Sequence, residues 1–584
     1  MDAAEVPFDG VGRAGGAQPA FPSRDQPPGR APYLAAYPLH RDEALYGYWA
    51  RLIASGQDPL LLTPWIDKPP LVLYLIAGSF RLFGAGGAAA NDLALRLPGM
   101  VASVLAVPAL YGLARAVYGR RVGLLAAALF ALSPFAILFA PTAFTDPWLT
   151  LWLLLAAWAT LARRPFLAGL LAALAIASKQ QGVFVVPLVL LIASGDTLDD
   201  RPVKRPVRAQ ASRRSAVLAR LKPFGAGLLG SALAFGPLTY WDSLRWHNRP
   251  SFWDRSLSTY NPLTLAAPAE WPLRLGRWAE QAGYWFGHPA ITAGVLALAA
   301  AAVYLGLRSC HGPWTAIQAE DAGSALSGGR TQRGRSRRGG HSPSSGHDPW
   351  AIIQDKDAGS TLSGGRTQCG RSRRGGHSQS SGTESSGPVR VPEQQDAAAA
   401  QLSPREARLT ILFAAYALGY FALHVLVTFQ PWDRYLLPLL PLVCLLAGRG
   451  LAALLAAERG PLPALALAIA LTGAAALGVT GRLPIGSDHG AYAGLPQVVA
   501  QLRRQPADAV IYQHALGWHF DYYLFDAPQE SRVLPTFEQE WAEAARLPLA
   551  GRGLALAEAG RIRRRDGSAS FVLYRVTSAH AAGP

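Results

Sequence analysis

The sequence predicts an all-α fold: a polytopic transmembrane helical bundle of about ten spans, with a small α/β domain at its C-terminal end. Three observations carry that prediction. Half of the 584 residues are hydrophobic and only 16% are charged, which is too apolar for a soluble chain of several domains. Apolar stretches of roughly 20 residues, the length that crosses a bilayer, run at about 93–114, 122–141, 147–162, 223–241, 288–307, 409–429, 435–456 and 461–481. The segments between them alternate in charge, as the loops of a multi-pass protein do.

In chain order, residues 1–38 are Gly/Pro/Ala-rich and read as a disordered tail. They lack a charged start followed by an apolar core, so no signal peptide is expected. The stretch HRDEALYGYWARLIASG, His40 to Gly56, places Asp42 and Glu43 at the head of an amphipathic helix. Its Leu45, Tyr48, Trp49, Leu52 and Ile53 recur at helical spacing and suit a helix lying in the membrane interface. Two acids at that end also complement the helix dipole. Further on, residues 166–194 form two shorter apolar halves around Ser178-Lys179-Gln180-Gln181-Gly182. That centre is too polar to face lipid and predicts a tight hairpin.

Arg115, Arg120 and Arg121, then Arg163 and Arg164, then the Lys/Arg-rich residues 195–222 mark one set of loops as cytoplasmic. The complementary set holds residues 40–92, Asp146, Lys179, the aromatic stretch 242–287 and Gln430-Pro431-Trp432-Asp433-Arg434. Parity thus gathers Asp42, Glu43, Asp67, Lys68, Asp146 and Arg434 on one non-cytoplasmic face. The formal charge of +17 belongs with loops beside anionic lipid, and no nucleic-acid partner is expected. Cys310, Cys369 and Cys444 have no ligand spacing, which argues against a disulfide framework or thiolate metal site.

Residues 308–408 interrupt the bundle, which otherwise occupies 39–307, with its first outer loop at 40–92, and 409–482. The insert holds two near-identical tandem copies, His311–Gly346 and His347–Gly382, Gly/Ser/Arg-rich and without hydrophobic periodicity. They read as a disordered cytoplasmic loop. LSGGR at Leu326–Arg330 and again at Leu362–Arg366 resembles the signature of ABC ATPases, but no GxxxxGK[ST] loop accompanies it. Residues 483–584 become soluble in composition. Ala509–Gln513 and Ser570–Val576 read as strands, and Gly494–Gln505 and Glu538–Leu547 as helices, of a small extracytoplasmic domain. Its His514, His519 and Asp521 form either a polar cluster or ordinary surface.

Asp42-Glu43 opens the first outer loop, Asp67-Lys68-Pro69-Pro70 follows 25 residues later, Thr145–Thr150 (TDPWLT) precedes a span and Asp433–Pro441 (DRYLLPLLP) lies near the end. With these motifs in this order the chain resembles the family 39/83 glycosyltransferases of the GT-C fold, which include protein O-mannosyltransferases and the lipid A aminoarabinose transferase. The resemblance is close over residues 38–194 and looser over 405–460. Relatives also begin with a span ahead of the DE loop, which is not read here, and the repeat insert is foreign to them.

The resemblance implies an integral-membrane enzyme that moves one sugar from a polyprenyl-phosphate donor to an acceptor hydroxyl on the extracytoplasmic side of the plasma membrane, with inversion. Such chemistry needs a carboxylate to take the acceptor proton and cations to hold the phosphate charge that grows as the C1–O bond breaks. Asp42 is then the base, Asp146 a further active-site acid, Glu43 an acid supporting the base or touching the acceptor, and Lys68 and Arg434 the phosphate ligands. Asp67 takes the place of an acid that in some relatives helps bind a divalent metal, the one cofactor implied.

Each residue has a structural alternative. Lys68 before Pro-Pro can snorkel, Arg434 can anchor topology, and Asp146 before Pro147 can cap a helix. A multi-pass permease or lipid flippase is the competing class; it would place its ionisable groups near the midplane on broken helices, whereas here they fall at span ends. No lectin-like repeat domain marks the loops, which disfavours the eukaryotic protein O-mannosyltransferase role and leaves a bacterial surface glycan, lipid or protein as acceptor.

Overall fold

The computed structural model describes residues 38–84, 87–197, 213–260, 264–327, 402–458, 460–480, 483, 485, 492–513, 516–533, 549–564 and 567–578. Residues 1–37 of the predicted N-terminal tail, His514, the predicted helix Glu538–Leu547, the first repeat from residue 328 on and all of the second repeat lie outside them. The chain divides into two compact units, Met1–His311 with Asp396–Pro584, and Gly312–Gln395.

The first unit is mainly helical. Helix α1 (Arg41–Ser55) starts where His40 Nδ1 accepts from the Asp42 N–H at 3.1 Å and Glu43 Oε2 accepts from the His40 N–H at 3.0 Å. It stops at Gly56, whose φ of +78° a glycine adopts without strain. Next come α2 (Leu71–Phe83), α3 (Gly87–Tyr118), α4 (Arg120–Ala131), α5 (Pro134–Phe139) and α6 (Asp146–Leu161). The hairpin is α7 (Pro165–Ser178), a short 3-10 turn (Gln180–Phe184) and α8 (Val185–Thr197). The aromatic stretch supplies the end of α9 (Arg213–Arg245), α10 (Phe252–Tyr260) and α11 (Trp271–Gly283). Then follow α12 (Pro289–Ser327), α13 (Pro404–Leu426), a 3-10 turn (Asp433–Leu436), α14 (Leu440–Ala456) and α15 (Pro461–Val479). In the second unit the described residues are helical, belonging to the C-terminal part of α12.

Several expectations are corrected. The stretch 122–141 is two helices, because Ser133 caps a new one at Ala136 N–H with Pro134 in its first turn and ties its hydroxyl to the Trp285 carbonyl. The insert is not wholly irregular either. Helix α12 runs past residue 308 to Ser327, and α13 begins ahead of 409 at Pro404, where Ser403 and Glu406 form a reciprocal cap. The apolar face of α1 packs on protein: Trp49, Leu52 and Ile53 are buried, and the helix lies against α2 and the C-terminal segment. Among the described residues, four helices are long and apolar enough to cross a membrane, at Asn91–Tyr118, Pro289–Cys310, Pro404–Leu426 and Pro461–Val479.

Helices α7 and α9 meet backbone to backbone: a Cβ on Gly169 would lie 1.9 Å from the Gly227 carbonyl oxygen. Small residues allow this close approach where no hydrophobic force drives helices together.

The C-terminal segment contains α16 (Leu495–Leu502), β1 (Val510–Gln513), α17 (Gly517–Tyr523), β2 (Glu530–Val533), β3 (Leu554–Arg563) and β4 (Ala569–Ser578). Strands β1 and β2 pair in parallel and β3 and β4 antiparallel. The segment belongs to the same compact unit as the helices, and α17 packs on α1. Its His519 is fully buried, so the surface alternative does not hold for that residue.

Candidate active site

Three acid–base pairs, two of them joining distant parts of the chain, gather near the first turn of α1. Arg434 Nη2 donates to Asp42 Oδ2 at 2.5 Å, joining the 3-10 turn after α13 to α1. Lys179 Nζ donates to Asp146 Oδ1 at 2.5 Å, joining the hairpin to the start of α6. Lys68 Nζ donates to Asp67 Oδ2 at 2.7 Å, and the Gln180 amide donates to the Asp67 carbonyl, fastening this loop to the hairpin.

Aromatic rings hold the cations. Lys179 Nζ sits 4.2 Å from the Tyr435 ring centre, and the Arg434 guanidinium lies 4.6 Å from Phe144 and 5.0 Å from Trp432. The charges also feel one another. Burial lowers the Lys179 pKa to about 8; Asp146 opposes that shift, and Arg434 and Lys68 add to it. Arg434 is held above its ordinary value, because Asp42 leads the attractions that outweigh its burial. The arrangement is a set of clustered cations beside one carboxylate open to solvent. The Asp42 side chain is 32% exposed, against 2% for Asp146.

Glu43 is built differently. Its Oε1 accepts from Arg96 Nε at 3.1 Å and the Ala143 N–H at 2.9 Å, and its Oε2 from Arg96 Nη2 and the His40 N–H, each at 3.0 Å. Burial pushes its pKa up, but Arg96 and the two backbone donors outweigh that and hold it below its ordinary value. With four donors on two oxygens, this carboxylate has its acceptor sites filled.

The structure therefore brings Asp42, Asp67, Lys68, Asp146 and Arg434 together and sets Glu43 behind them. Its geometry also answers the structural alternatives. Asp146 lies inside α6 with its carboxylate on Lys179, the cap being Thr145, so it is not a capping residue. Lys68 is buried on Asp67, not extended to solvent, and Arg434 is buried on Asp42. For a divalent metal the fit is poor: among the described residues no three His, Cys, Asp or Glu side chains are placed to hold one. Sequence reasoning missed Lys179 and Arg96 as site residues. Each is visible as a lone charge in an apolar stretch, which has to find a partner.

Comparisons with known proteins bear on the fold that carries these residues. Residues 67–207 match the family described as dolichyl-phosphate-mannose-protein mannosyltransferase, a stretch that includes Lys68, Asp146 and Lys179. No curated protein matches the sequence. The crystal structure of ArnT from Cupriavidus metallidurans bound to undecaprenyl phosphate superposes with a TM-score of 0.53 at 14% identity, covering 94% of this chain and 96% of that one. ArnT in the apo state superposes with a TM-score of 0.54, also at 14% identity, covering 94% and 95%. This chain resembles the GT-C membrane glycosyltransferases. At such identity the likeness speaks for the fold, and what the site does is argued from its own residues.

Proposed function

We propose that the chain is an integral-membrane glycosyltransferase that moves a single sugar from a polyprenyl-phosphate donor to an acceptor hydroxyl, with inversion. The observation that carries this reading is the convergence of Lys68, Lys179 and Arg434 beside the solvent-accessible Asp42. In the reaction, Asp42 takes the acceptor proton, the acceptor oxygen bonds to C1, and the C1–O bond breaks with its electron pair passing to the phosphate. Lys68 and Arg434 stabilise that charge, and Lys179 adds to it. A phosphate that draws Arg434 away also uncovers Asp42, so the base is freed when the donor is seated. Asp146 holds Lys179 in place. Glu43 acts by positioning α1, and no step is routed through a metal.

In this reading the bundle makes about ten spans, lies in the plasma membrane and opens its site to the extracytoplasmic side, where the C-terminal segment also sits. An apolar groove of about 680 Å³ between α3 and α6, lined by Trp148, Trp152 and Trp158, begins two residues beyond Asp146 and is suited to part of the isoprenoid tail. Against the permease or flippase reading, the charged groups lie at helix ends and turns, whereas a transporter sets its ionisable groups on broken helices near the midplane.

The test is to incubate membranes containing the protein with a panel of labelled polyprenyl-phosphate sugars. One label should pass to an acceptor. No transfer from any donor, with donor lipid crossing between leaflets, would sink the reading in favour of a flippase.

A further inference from the structure

The C-terminal helix α17 braces the helix that carries the candidate base from two sides without reaching the site itself. On one side, His519 Nε2 lies 3.0 Å from the Leu39 carbonyl. A carbonyl only accepts, so Nε2 carries the proton. Leu39 immediately precedes His40, the residue that caps α1. On the other side, the hydroxyls of Tyr522 and Tyr523 donate to the two oxygens of Asp92 at 3.2 and 3.0 Å, all three side chains being buried. Asp92 lies one helical turn before Arg96 on α3, and Arg96 grips Glu43 through two nitrogens.

Packing adds to both routes. The Tyr522 ring lies over Gly47, where a Cβ would come within 2.7 Å of it, and the Arg51 guanidinium stacks 4.6 Å from the same ring. Asp42 is therefore flanked by two residues whose positions are fixed from α17, His40 through Leu39 and Glu43 through Arg96.

We propose that His519, Tyr522, Tyr523 and Asp92 form a positioning clamp by which the C-terminal segment sets the Asp42 carboxylate for proton transfer. The inference rests on the transferase reading. These are positioning residues: none approaches the Asp42–Arg434 pair, and each acts through α1 or Arg96.

The experiment compares wild type with Tyr523→Phe, Asp92→Asn and, as a control, Asp526→Ala, which removes only an exposed contact to Arg51. The full-length protein is used, in detergent or vesicles. For the first two variants kcat should fall about tenfold, within the ~100-fold that a 1 Å misplacement produces, with the KM for the donor unchanged. The control should keep both constants. Loss shared equally by kcat and donor KM, or kcat within twofold of wild type, overturns the clamp. If Asp92→Asn does not fold, Tyr523→Phe, which deletes one hydroxyl and keeps the ring, carries the comparison. Hydrogen exchange at the amides of residues 42–47 gives a readout independent of activity, and their protection should drop in Tyr523→Phe. Unchanged exchange defeats the clamp, whereas a wild type inactive on every polyprenyl-phosphate sugar defeats the transferase reading alone.

Discussion

The floor of the first turn of α1 and its mouth hold neighbouring carboxylates in contrasting surroundings. Glu43, on the floor, is 3% exposed and receives four donors. Asp42, at the mouth, is about a third exposed and meets Arg434 through one oxygen. A saturated carboxylate is a fastening, since any proton or ligand arriving there must displace a buried guanidinium. An open one is available for chemistry. The same residue class, one position apart, is thus divided between structure and reaction by its surroundings.

The largest effect should come from breaking the floor. Glu43→Ala takes from the buried Arg96 the carboxylate it grips through two nitrogens, which costs about 3–5 kcal/mol and should appear as a large drop in unfolding temperature in detergent. The sign with pH is fixed too. Glu43 is held below its ordinary value of 4.5, so its stabilisation is complete above that pH and is lost as pH falls through the lowered value in the folded chain. Asp42→Asn should show the reverse pattern, at least ~100-fold slower transfer with a smaller fall in unfolding temperature, since the half-open site and the remaining amide oxygen still serve the Arg434 guanidinium. If both variants lose stability and activity together, the contrast between floor and mouth is wrong.

Much of this contrast is legible in the sequence, but not all. Loop parity and a few polar motifs put Asp42, Lys68, Asp146 and Arg434 on one face, because topology follows from charge bias and span length alone. Pairing does not follow from those. Lys179 joins Asp146 and Arg96 joins Glu43 only when helices separated by tens of residues pack, and nothing local to KQQG or LRLPG says which acid each will find. The break at Ser133 escapes a sequence reading for a similar reason. A run of apolar residues reads as one span unless the cap and the following proline are weighted above hydropathy. The tie between α17 and α1 is equally hidden, because His519 and Asp521 read as a polar cluster or ordinary surface of a soluble domain, and nothing local says that Tyr522 and Tyr523 will meet Asp92.

A smaller effect should separate Lys68 from the carboxylates. Lys68→Ala removes a charge-assisted contact to phosphate, for which about 1.5–3 kcal/mol is typical. Donor affinity should fall about tenfold or more in a binding assay with labelled donor lipid, while Asp42→Asn should bind donor normally. Unchanged affinity in Lys68→Ala would move the phosphate site toward Lys179 and Arg434.

The finest distinction comes from pH, through Lys179. Burial lowers its pKa to about 8 from an ordinary 10.5, so the folded protein loses this cation as pH rises through about 8. If the charge serves the departing phosphate, transfer should be about halved near pH 8 and continue to fall above it. Stability should move the other way. Below pH 8 both folded and unfolded chains hold the proton, and the folded one bears the cost of burying it. Between about 8 and 10.5 only the unfolded chain still binds it, so stability rises with pH in that window. Opposite slopes for activity and stability would identify a buried cation retained for chemistry, and Lys179→Arg, which stays charged, should abolish the alkaline decline in rate. Parallel slopes, or an alkaline limb that survives in Lys179→Arg, would assign the decline to another group.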